Sequence, residues 1–118
     1  MRAIILAVLA VTTTVAMADE ADEARRLAVS GRNAYWNCLA REYPRDSNRK
    51  MSEPDFSALI AAACASERQN YRVALVDFLG MQFPDRDAGE NMTTANDAIA
   101  LAQKDIITAF VKRKAASK

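Results

Sequence analysis

The chain has 118 residues, with 16 Lys and Arg against 15 Asp and Glu, no histidine, two cysteines, three glycines and three prolines. Lacking histidine, it is without the commonest general base and the commonest metal ligand, and it contains no glycine-rich phosphate loop. A balance this close to neutral supplies no general field to draw the chain onto nucleic acid or anionic lipid, which argues against partners held mainly by phosphate contacts.

Residues 1–18 read as a signal peptide: Arg2 as the charged start, the apolar run Ala3 to Val11, and the small-residue end Ala16-Met17-Ala18 with cleavage after Ala18. A retained anchor helix is the alternative. The run is broken by Thr12-Thr13-Thr14 and is short against the roughly 20 apolar residues of a bilayer span, so no membrane span is expected after processing. Of the 16 basic residues only Arg2 precedes Ala18, so residues 19–118 carry 15 bases and 15 acids and a net charge of zero. The basic end, KRKAASK, reads as a solvated tail that suits the negative pole of a helix. One modest domain of 100 residues is expected, in the periplasm or secreted. In such an oxidising compartment two cysteines pair, which predicts a Cys38–Cys64 disulfide.

With so little glycine and proline and so much alanine, the segments between breakers favour helix, and no alternating strand pattern competes. The first helix is expected over 19–43, with Ala24, Leu27, Ala28, Gly31, Ala34, Tyr35, Cys38 and Leu39 on one face and Pro44 as its stop. Gly31 on that face lets a neighbouring backbone approach closely. After the polar connector PRDSNRK, the second helix is expected over 53–80, capped by Ser52 or Glu53, with Phe56, Ile60, Ala63, Cys64, Glu67, Tyr71, Ala74, Leu75 and Phe78 inward. A bridge between two antiparallel helices of this length demands a stagger of roughly 7 to 8 Å, so the second should overshoot the first by about a turn and a half.

The third helix is expected over 94–114, announced by Thr94 with Asp97 three residues on, after a loop DAGENM. Its inward face is Ala95, Ala98, Ile99, Ala102, Ile106, Ala109 and Phe110, widened by Leu101, Ile107 and Val111. The fold class is therefore all-α: a small three-helix bundle stapled by one disulfide, the third helix covering the groove between the bridged pair.

Few residues carry chemistry. The cysteines have neither CxxC spacing nor histidine partners, so no metal site and no cofactor is expected. Glu67, one turn from both Cys64 and Tyr71, is the carboxylate of most interest, with Arg32, Arg41 or Tyr35 as partners; it forms either a structural hydrogen bond or, with Tyr71 and Tyr35, a buried polar site. Val29, Trp36 and Tyr43, seven residues apart, form a second apolar stripe that serves a protein partner if the third helix leaves it uncovered and the core otherwise. Asn91-Met92-Thr93 matches a glycosylation sequon.

In general plan, a small exported all-helical chain with one internal disulfide, the protein resembles the periplasmic acid-stress chaperones of the HdeA type; no motif around the cysteines carries the resemblance and no residue is transferred from it. The expected function is non-catalytic protein binding, to another envelope protein or an unfolded client, in an envelope-interaction or stress-related role. The alternatives are a carboxylate-based hydrolase or lyase using Glu67, and a secreted effector acting on a host or competitor protein. Oligomeric state is left open.

Overall fold

The computed structural model describes the backbone of residues 2–117 and the side chains of residues 18–117. Among the described residues the chain is all-α, with four helices: α1 (Arg2–Ala40), α2 (Glu53–Ala62), α3 (Ala65–Gln82) and α4 (Ala88–Ala116). The side chains of the expected signal segment lie, up to Met17, outside the described residues.

The first helix ends at Ala40, three residues short of the expected Tyr43. Pro44 disfavours helical backbone at the residue before it and has no N–H to donate. The chain therefore leaves through tight turns, Arg41 N–H donating to Cys38 O at 3.3 Å and Glu42 N–H to Leu39 O at 2.9 Å. The connector holds one 3-10 turn, Asp46–Asn48, and is shaped by Asn48, a polar residue only 5% exposed. The Asn48 amide donates to the Glu42 carbonyl at 2.9 Å and to the Glu42 carboxylate at 3.2 Å, tying the connector back to the end of α1.

Ser52 is the cap of α2, its hydroxyl accepting from Asp55 N–H at 3.3 Å, and Pro54 sits in the first turn, where its missing N–H is harmless. The single helix expected over 53–80 is instead two, and the three-helix bundle is a four-helix one. The break falls at Ala63–Cys64, where Cys64 has left-handed backbone, φ 57° and ψ 46°, the only non-glycine with positive φ among the described residues. Nothing in AAACASE announces a break, and left-handed backbone at a non-glycine costs about 1–2 kcal/mol. Tertiary bonds hold it. Cys64 is bridged to Cys38 with a Cα separation of 6.2 Å, and the Arg68 guanidinium donates to the Ala61 carbonyl at 2.5 Å and the Ala63 carbonyl at 3.4 Å, satisfying acceptors that the end of α2 leaves open.

The break also resolves the stagger. The residues expected to overshoot α1 form α2, which packs on α4, while α3 alone runs antiparallel along α1. The register repeats every seven residues: Cys38 meets Cys64, and Gly31 meets Tyr71. At Gly31 a Cβ would lie 3.1 Å from the Tyr71 Cα, so the small residue lets the two backbones close together.

The fourth element starts at Ala88, six residues before the expected Thr94, so the stretch read as a loop is its first turn. Thr93 and Thr94 are interior: their hydroxyls donate to the carbonyls of Gly89 at 3.0 Å and Glu90 at 3.1 Å, four residues back, rather than capping. The helix runs to Ala116, and its early start places Asn91, 4% exposed, on the buried face, so the folded chain does not present the sequon.

The core joins all four helices through Tyr35, Leu39, Phe56, Ile60, Tyr71, Ile99, Ala102, Ile106 and Phe110. Phe56 of α2 stacks on Phe110 of α4 with ring centroids 3.9 Å apart. Leu27, Ala34, Leu101 and Val111, expected inward, are exposed. On α1 the reason is that its length is covered mainly by α3 and only lightly by α4.

Two glycines should respond oppositely to substitution. Gly31→Leu forces a side chain into the Tyr71 backbone and should lower stability by about 1–3 kcal/mol. Gly80→Ala, in α3 with nothing within 4 Å of the added Cβ, should raise it by up to about 1 kcal/mol. Thermal melts of both variants check this. Replacing both cysteines by alanine should remove about 3.5 kcal/mol, taking the 27-residue loop implied by a separation of 26. The same variant should not lose far-ultraviolet helical signal below its melting temperature, because residue 64 is then free to rejoin α2 to α3.

Candidate functional site

The structure brings Tyr35, Tyr71 and Glu67 to the junction of α1 and α3 in two groups. The tyrosine rings lie 6.3 Å apart, tilted by 35°. The Tyr35 hydroxyl, fully buried, accepts from Gln103 Nε2 of α4 at 3.0 Å, so a residue with no periodic signal of its own supplies its polar partner. Burial pushes the Tyr71 hydroxyl above its usual pKa of 10.0, and the Arg32 guanidinium pulls the other way.

Glu67 is half-buried one turn from Tyr71, beside the bridge: one carboxylate oxygen and the two sulfurs of Cys38 and Cys64 lie within 4.8 Å of one another. In the oxidised protein those sulfurs are in a disulfide and offer no thiolate to a metal. Among the described residues no hydrogen bond or ion pair joins Glu67 to Arg32, Arg41 or Tyr35; Arg41 instead donates to the Asn37 carbonyl at 3.4 Å, and Tyr35 is engaged by Gln103. The nearest charged neighbour in sequence, Arg68, is turned to the carbonyls of α2. Arg68 is the residue that sequence reasoning passes over. Its role depends on a helix break that no local signal marks.

The stripe of Val29, Trp36 and Tyr43 divides. Val29 and Trp36 are 48% and 43% exposed on the outer side of α1. Tyr43 is half-buried against the core at the start of the connector. Around the exposed pair lie Arg25, Arg26 and Arg32 with Asn33 and Asn37, in shallow depressions on the same helix. On the other side of α1, against α3, Ala24, Leu27, Ala74 and Met81 line an apolar groove of about 260 Å³ rimmed by Glu20, Glu23 and Asp77.

No known family model matches the chain, and comparison with curated proteins and with solved structures found no match.

The Tyr71 shift has a signed consequence. A hydroxyl that ionises later in the folded than in the unfolded chain contributes stability in full below about pH 10, and that contribution is lost as pH rises through the raised folded value. Tyrosinate absorbance should show at least one late-titrating tyrosine, absent in Tyr71→Phe. The melting temperature of the variant should fall less steeply than that of the parent above pH 10.

Proposed function

We propose that this chain is a small exported helical protein of the bacterial periplasm that acts by binding another protein, an envelope component or an unfolded client, and not by catalysis. The observation that carries the reading is the outer side of α1, where Trp36 and Val29 stay 43% and 48% exposed although the chain buries its other large aromatic residues of α1 and α4, Tyr35 and Phe110, almost completely. An uncovered tryptophan beside arginines is the composition of a protein-binding hot spot: a large amphipathic ring for contact area, guanidiniums for directional hydrogen bonds, and amides around them. Arg32, Asn33 and Asn37 adjoin Trp36 in this way. The signal-like start at residues 1–18 and the Cys38–Cys64 bridge are both consistent with an oxidising compartment outside the cytoplasm.

The experiment pairs affinity with fold. Trp36→Ser and Val29→Ser, made together, should leave the melting temperature within a few degrees of the parent, because both residues lie at the surface outside the buried core. The pair should nonetheless abolish retention of an envelope protein, or suppression of aggregation of a reduced, unfolded client, by the immobilised protein. A variant that binds as the parent does would refute the assignment of this face.

A further inference from the structure

We infer that the cleft between the connector and the end of α4 is a binding site for a phosphate monoester carried on a small apolar or aromatic body. The cleft has a volume of about 270 Å³ and draws cationic side chains from two separate elements: Arg45 and Arg49 from the connector, Arg113 and Lys114 from the last turns of α4. Two carboxylates stand against these four cations, Asp46 in the lining and Glu42 beside Arg45, leaving a local excess of two positive charges in a chain whose residues 19–118 are neutral.

A basic last turn has an ordinary explanation, since the C-terminal carbonyls of a helix favour cations. That accounts for Arg113 and Lys114. It does not account for Arg45 and Arg49, which belong to a connector held in shape by the buried Asn48 amide. Two of the four cations are already engaged: Arg45 lies 3.6 Å from the Glu42 carboxylate, and Lys114 Nζ donates to the Met51 carbonyl at 2.5 Å. These contacts fasten the walls of the cleft. The guanidiniums of Arg49 and Arg113 have no hydrogen-bond or ion-pair partner among the described residues.

Two uncommitted guanidiniums lining one cleft supply the donors with which arginine grips a phosphate through paired N–H groups. Tyr43 and Pro44 add an apolar wall, which a bare inorganic ion would not use. The volume lies just below the roughly 300–1,000 Å³ of ordinary small-molecule sites, so the fit is to a phosphate with a compact organic group. Either a soluble ester or a lipid headgroup supplies that chemistry.

The test titrates the disulfide-intact protein with phenyl phosphate while recording amide shifts, and in a second arm sediments it with vesicles of phosphatidic acid or of phosphatidylcholine. Shifts confined to the connector and the last turns of α4, weakened roughly tenfold by Arg49→Gln and further by adding Arg113→Gln, support the site. Retention on phosphatidic acid vesicles alone, lost in the double variant, supports it with a lipid as source; response to phenyl phosphate alone supports it with a soluble ester. No response in either arm, or equal affinity in parent and double variant, overturns it. Should the double variant fail to fold, Arg49→Gln alone, at an exposed connector position, decides between the same outcomes.

Discussion

The bond between Cys38 and Cys64 fixes more than the distance between two helices. It pins the left-handed residue at which α2 stops and α3 begins, and so sets the direction in which each of them leaves. From that point α3 runs back along α1, and the next close approach, Gly31 on Tyr71, comes seven residues along on both helices. Between a covalent bridge and a position with no side chain, the register of the pair has little freedom. A one-residue slip would set a Cβ against backbone and separate the sulfurs.

The other two helices complete what the bridged pair leaves open. The outer end of the core is closed by α2, through Phe56 stacked on Phe110, while α4 packs mainly on α3 and α2 and supplies Gln103 to the fully buried Tyr35 hydroxyl. Because α4 reaches α1 only lightly, the outer side of α1 stays in water and keeps Trp36 and Val29 there. The exposed stripe and the buried core are therefore two results of one packing choice.

Charge is distributed unevenly along this frame. The connector and the end of α4 gather arginines and lysines around one cleft, whereas carboxylates rim the apolar groove between α1 and α3. A net charge of zero over residues 19–118 conceals this separation.

Much of the architecture is legible from the order of residues alone. The pairing of the two cysteines follows from their number and the signal-like start, and helical class and most of the inward face of α4 from composition and 3.6-residue periodicity, because a helix turns one side of its spacing toward its neighbours. The inward residues of the second expected helix are also legible, from Phe56 and Ile60 through to Tyr71, since a break in the middle of a run changes its direction without changing which side is apolar. The break itself is not. Ala63 and Cys64 carry no local signal for it, and it is held by contacts from Cys38 and Arg68 that exist only once the chain has folded back. The start of α4 is hidden for a related reason: Gly89 and two threonines imitate a capped loop, and only the packing of Asn91 and Ala95 against the rest of the molecule makes those residues the first turns of a helix. Sequence spacing thus determined which residues share a helical face; tertiary contact decided where the helices begin and end, and how much of each apolar face is covered and how much left facing water.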